Sequence, residues 1–266
     1  MRRAVVAFAL VFSLPGPLVG QADSVHRESL FRGRDAVIAS AFVLGTVALA
    51  PFDRALAVRT QDSVLQRNRF LQQVATVVRE LGFPGSLLIG TSLYTAGRLS
   101  DERRLTELGL LGTEAILVGG AFTQAIKWAA GRARPYQDPD NPFDFRFLRG
   151  LQGGAYQSFP SGHAVASFAA GSSVTTITGE WWPETKPYIG LVLYGGAALV
   201  GLSRMYNNVH WASDVILGAG IGIFAGWKTV RLARAHADRG LQRWLLGATW
   251  VPGTGAVHLW LAPVPP

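Results

Sequence analysis

Six apolar blocks recur along the chain, at residues 36–50, 82–97, 108–130, 163–178, 188–202 and 215–227, joined by short polar connections. A helix that is apolar on every side must be buried, either in a protein core or in lipid. Several blocks fall short of the ~20 apolar residues of a spanning helix. They are dense in Gly, Ala, Ser and Thr, and small residues let membrane helices approach closely. Only 16% of the residues are charged and 49% are hydrophobic, against about 25% charged in a soluble domain. The pattern predicts an all-α fold: an integral membrane bundle of about six helices, spanning residues 35–231. A soluble all-α core is the alternative that this pattern leaves.

The remaining segments are shorter. Residues 1–22 carry Arg2 and Arg3, an apolar run from Ala4 to Leu14, Pro15 and Pro17, and small residues at Gly20 and Ala22. That order is the layout of a signal peptide, and a retained first helix is its alternative. Between the first two blocks, Val64, Leu71, Val74 and Val78 recur at helical spacing among polar residues. They predict an amphipathic helix, lying on the membrane or capping the bundle. Residues 232–266 hold a basic segment and a tail with Pro252-Gly253-Thr254-Gly255 between two apolar runs, which is the punctuation of a tail or small hairpin.

The formal net charge is +8. A basic balance suits nucleic acid, anionic lipid or a phosphorylated substrate. The Lys and Arg residues are scattered between apolar blocks and form no single stripe, so nucleic acid is set aside. There is no cysteine, which excludes disulfides and thiolate chemistry.

Three polar stretches interrupt this apolar chain, and charged groups beside a bilayer usually face a cavity and carry function. The first is "KWAAGRARPYQD". Lys127 lies near the end of the third block and Arg134 seven residues on, with Gly131 and Pro135 ending the helix between and behind them. The two cations are placed to meet one anion; Arg132 is read as a side chain reaching for the membrane edge. The second is "SFPSGHAVASFAA". Ser161 and Gly162 open an apolar helix at His163, and the free N–H groups of a helix start bind anions. An ordinary Ser cap explains the stretch alone equally well. The third is "SRMYNNVHWASD". His210 and Asp214, four apart, share a face if the sixth helix begins there. An Asp so placed fixes the imidazole tautomer, leaving His210 a base, a metal ligand or a nucleophile. A helix-capping Asp beside an interfacial His is the plainer reading. Arg204 offers a planar fork for phosphate oxygens.

Taken in order, Lys127 with Arg134-Pro135, then Pro160-Ser161-Gly162-His163, then Ser203-Arg204 with His210 and Asp214, fill every position of a three-part signature. The chain resembles the type-2 phosphatidic acid phosphatase superfamily, which includes lipid phosphate phosphatases and vanadium haloperoxidases. The resemblance covers roughly residues 108–231. It implies a hydrolase acting on a phosphate monoester or diphosphate, with Lys127, Arg134, Ser161, Gly162 and Arg204 holding phosphate. It further implies His210 as nucleophile through a phosphohistidine, Asp214 as its orienting partner, and His163 as general acid and then base. No cofactor or metal is called for, since three cations replace one.

The expected partners are the bilayer and a phosphorylated lipid, with undecaprenyl diphosphate, phosphatidic acid and phosphatidylglycerol phosphate as candidates and no nucleic acid. The alternatives are a vanadium-dependent haloperoxidase, whose members are usually soluble and larger, and a non-catalytic lipid-phosphate binder or transporter, for which the two His and the Asp would be superfluous. If each block crosses once, all three motifs emerge on one membrane face. Basic residues at 98–104 and 228–243 lie opposite, which places the motif face outward from a cell inner membrane, toward a periplasm or exterior. A cleaved signal peptide followed by six crossings would place it inward; the charge bias and the resemblance favour the outward face.

Overall fold

The computed structural model describes residues 33–235, 244–251 and 256–263; the segment read as a signal peptide and the turn expected at 252–255 lie outside these. Six long helices coincide with the six apolar blocks: α1 (Gly33–Leu49), α5 (Ser86–Leu99), α6 (Arg103–Ala130), α7 (Gly162–Trp181), α8 (Lys186–Tyr206) and α9 (Ala212–Ala235). Among the described residues, four stretches are long and apolar enough to cross a membrane: Gly33–Thr60, Arg103–Ala130, Pro183–Tyr206 and Ala212–Ala235.

The segment after α1 is not one amphipathic helix but three pieces, α2 (Asp53–Thr60), α3 (Ser63–Arg67) and α4 (Arg69–Glu80). The breaks have local causes. Asp62 accepts a hydrogen bond from the Val64 N–H, and Asn68 accepts one from the Leu71 N–H. Each is an N-cap that starts a new helix where the apolar spacing alone would continue the old one. The amphipathic character is confined to α4, which packs on α8.

Helix α7 is the axis of the bundle. It packs against α6 and α8, and α9 lies along it. Gly218, Gly222 and Gly226 of α9 face α7 at intervals of four residues, and a Cβ on each would fall 2.7, 2.5 and 2.4 Å from the carbonyl oxygens of Ser161, Val165 and Ala169. Backbone meets backbone there, which supplies dispersion contact where lipid removes any hydrophobic drive between helices. Small side chains fill the rest: Ala115, Ile116, Ala166, Ala169 and Ala225 form one cluster, and Ala164, Phe168, Ala197 and Ala219 another. This packing holds the C-terminal ends of α6 and α8 beside the N-terminal ends of α7 and α9.

The two strands after α9 belong to a separate compact unit. In it, β1 (Trp244–Val251) pairs antiparallel with β2 (Ala256–Pro263), with Gly247 opposite Trp260 and Thr249 opposite His258.

Candidate active site

The three motif stretches meet at one end of the bundle. Helix α6 stops at Gly131, whose φ of 54° is the left-handed cap that glycine takes without cost. The chain then forms a loop, residues 131–161, before re-entering as α7. The loop fixes both cations of the first motif. The Lys127 ammonium donates to the Gln157 carbonyl at 2.6 Å. Arg134 donates through Nε to the Gly154 carbonyl at 2.7 Å and through Nη1 to the Val209 carbonyl at 3.3 Å.

Ser161 is the N-cap residue of α7, yet its side chain makes no capping bond. Its Oγ is buried and has no hydrogen-bond partner, while its N–H donates to the Asp214 carbonyl at 3.0 Å. The hydroxyl is therefore not used in the capping that would explain an ordinary Ser here. Gly162 faces Lys127: a Cβ on it would sit 3.7 Å from the Lys127 Cε. His163 follows, half-buried, its ring 6.0 Å from that of Phe83 at the kink between α4 and α5. The charges of Arg204, Lys127 and Arg134 all fall on it.

Arg204, in the last turn of α8, is buried, and its Nε and Nη1 have no partner. A buried cationic donor without a partner is costly, and together with the Ser161 hydroxyl it makes a set of donors suited to oxyanion oxygens. His210 lies in the connection just before α9, so it does not share a helical face with Asp214 as the spacing suggested. The pair still meets across the helix start, with His210 Nδ1 3.4 Å from Asp214 Oδ2. That is too long for a formed hydrogen bond, and catalytic hydrogen bonds commonly tighten only once substrate is present. Burial pushes the His210 imidazole down to about 3. Asp214 draws it up, while the nearby Lys127 and Arg134 push it down. The ring is neutral at physiological pH and keeps a nucleophilic lone pair.

Asp214 does more than face His210. Its Oδ2 accepts from the Trp211 N–H at 2.9 Å, which caps α9, and from the Ser158 hydroxyl at 2.6 Å. The capping and catalytic readings of this residue are thus compatible. Its Oδ1 meets Arg132 Nη1 at 2.5 Å. Arg132 is the residue the sequence misplaced. It does not reach for the membrane edge but lies 1% exposed beneath the site. Its Nη2 pairs with Asp53 at 2.7 Å, its Nε and Nη2 donate to the Pro142 carbonyl, and Phe145, Phe159 and Trp211 surround its guanidinium. Asp53, at the start of α2, also accepts from the Ser213 N–H at 2.9 Å and from its hydroxyl. One cation thus ties the start of α2 to the His210 partner. Nothing in the spacing of Asp53 signals this.

The sequence profile of the PAP2 superfamily matches residues 109–238. A lipid A 1-phosphatase of Porphyromonas gingivalis is 34% identical over 107 residues, which is 40% of this chain and 20% of that protein. A lipid A 4'-phosphatase of Bacteroides thetaiotaomicron is 34% identical over 47% of this chain and 51% of its own length. The chain thus spans a fifth of one of these relatives and about half of the other. The crystal structure of a transmembrane PAP2-type phosphatidylglycerolphosphate phosphatase from Bacillus subtilis matches with a TM-score of 0.55 at 20% identity, covering 77% of this chain and 98% of that one; this likeness concerns the fold. Profile and motifs agree, and residues 109–238 form a PAP2 superfamily domain.

Proposed function

We propose that the chain is a metal-independent phosphatase of lipid phosphates or diphosphates that works through a phosphohistidine. The observation that carries this is the convergence of Lys127 and Arg134 on a neutral, buried His210 backed by Asp214, with Arg204 close enough to act on Lys127 and His163 and donors of Arg204 and Ser161 unpartnered. Phosphoryl transfer depends mostly on positioning and charge neutralisation. The three cations, the Ser161 hydroxyl and the Gly162 N–H hold the phosphate oxygens. His210 Nε2 attacks phosphorus in line; the N–P bond forms as the bond to the leaving oxygen breaks. That oxygen takes its proton from His163, which carries one once the bound phosphate anion offsets the cations that press on the free imidazole. His163 then takes a proton from water, the hydroxide displaces His210 from phosphorus, and inorganic phosphate leaves. Asp214 balances the charge on the imidazole while it carries the phosphoryl group.

The substrate class follows from setting. A site at the end of a bundle with apolar, outward-facing helices suits a head group that reaches in while its tail stays in lipid. The named activities of the relatives add lipid A phosphates to undecaprenyl diphosphate, phosphatidic acid and phosphatidylglycerol phosphate as substrates to try. The site is proposed to face outward from a cell inner membrane. Supporting that orientation, the opposite end of the bundle carries Arg and Trp clusters of the kind found at an inner interface: Arg34, Lys228 and Arg231 around Trp227, and Arg104 against Trp181 and Trp182.

The test is phosphate release from those lipids and from a soluble phosphomonoester, with EDTA present and His210→Ala alongside. EDTA-resistant release from a lipid that vanishes in the variant is the expected result. Release abolished by EDTA, or wild-type turnover by the variant, would reject the reading.

A further inference from the structure

The loop between α6 and α7 presents a second surface that the chemistry above does not use. Phe143, Phe147, Leu148 and Leu151 are 58, 81, 46 and 61% exposed. Scattered exposed apolar residues need no explanation, but four within residues 143–151 do. This loop is also firmly held. Buried Arg149 donates to the Gly131 carbonyl at 2.8 and 3.0 Å and to the Asp144 carbonyl and carboxylate, each at 2.8 Å, with its guanidinium 4.3 Å from the Tyr156 ring. Arg132 clamps the Pro142 carbonyl from below. Leu148 has a φ of 61°, a left-handed conformation unfavourable for a bulky side chain. The surrounding bonds hold it there, so the outward display of these residues is built in.

The depth of the loop indicates what covers it. The Leu148 N–H donates to the Ala129 carbonyl at 3.0 Å. Gly150 lies so close to α6 that a Cβ would fall 2.1 Å from the Lys127 carbonyl oxygen and 2.8 Å from the Trp128 Cα. Residues 148–150 therefore run alongside the last turn of a helix apolar and long enough to span a membrane. Trp128 on that turn, and Leu117 and Phe122 below it, are exposed on α6. Arg146, 72% exposed at its side chain, stands between Phe145 and Phe147. Aromatic and aliphatic side chains with an interspersed Arg, at the level of a helix end, are the composition of a membrane interface.

We infer that residues 143–151 dock into the interfacial layer of the bilayer on the motif face, with Phe147 and Leu151 entering the acyl region and Arg146 remaining at the head groups. A fixed, lipid-immersed loop beside Lys127 would set the height of the site against lipid head groups. The inference rests on the membrane reading of the helices and not on the phosphatase chemistry.

The absence of cysteine from the chain allows a direct test. Nitroxide labels are placed one at a time through Phe147→Cys, Leu151→Cys, Leu117→Cys as a lipid-facing reference and Gln137→Cys as an exposed polar reference on the same loop. Collision rates with oxygen and with a water-soluble nickel chelate are then measured in lipid nanodiscs. Labels at 147 and 151 are expected to favour oxygen over nickel several-fold more than the label at 137, approaching the label at 117. Nickel access at 147 and 151 equal to that at 137 would overturn the docking. So would shielding from both reagents, which would place protein against the loop. A nickel-accessible label at 117 would overturn it too, by removing the membrane reading beneath it.

Discussion

Arg132 sits as one positive charge between two buried carboxylates, Asp53 and Asp214. Removing one partner from a buried ionic group leaves uncompensated charge, at a cost of about 3–5 kcal/mol. Arg132→Met should therefore lower the melting temperature sharply in detergent, and a melt within a degree of wild type would show that the network carries no stability. Arg132→Lys keeps the charge but loses the fork that reaches both carboxylates, so its melt should fall between the two. His210 gives a prediction about pH. Its native pKa is held down to about 3 by burial, below the unfolded value of about 6.5. Between those values the unfolded chain binds a proton that the native chain does not. Stability is thus highest above about pH 6.5 and declines as pH falls toward 3. His210→Gln should show a shallower acid-side decline in thermal stability; an unchanged slope would contradict the buried, neutral ring.

At the scale of elements, the site depends on α9 lying against α7 through Gly218, Gly222 and Gly226. Gly222→Val would drive a branched side chain into the Val165 carbonyl and the Phe168 Cβ, at 2.5 and 2.8 Å from its first carbon alone. It should abolish folding into a monodisperse, active species. Gly195→Ala and Gly196→Ala on α8, where a Cβ meets nothing within 4 Å, should be tolerated. Size-exclusion profiles of the three variants check this, and a well-behaved Gly222→Val would refute the close packing. The elements also show what the sequence could convey. The six long helices were legible because apolar blocks and their Gly and Pro punctuation follow local rules. The division of 53–80 into three helices was less so, although Asp62 and Asn68 are recognisable caps in retrospect. Lys127, Arg134, Ser161, Gly162, His163, Arg204, His210 and Asp214 were readable as one candidate set because their spacing resembles a known signature. Asp53 and Arg132 were not. Asp53 lies 161 positions from Asp214 in a segment with no motif, and an arginine buried between carboxylates looks, in sequence, like one at a membrane edge.

For the whole molecule, the helices place all three motifs at one end and the Trp-centred basic clusters around residues 104 and 227 at the other. If that basic end faces the cytoplasm, a single Cys at Gln137 should react with a membrane-impermeant maleimide added outside intact cells, and one at Ser100, between α5 and α6, should not. The reverse pattern would invert the molecule. The proposed chemistry at the motif end is covalent. It is tested most directly by rapid quenching of turnover on a labelled lipid phosphate, work-up in base to preserve a phosphorus–nitrogen bond, and mapping of the label. Label is expected on the peptide containing His210 in wild type and absent in His210→Asn. Turnover without any label on His210, or label on another residue, would contradict it.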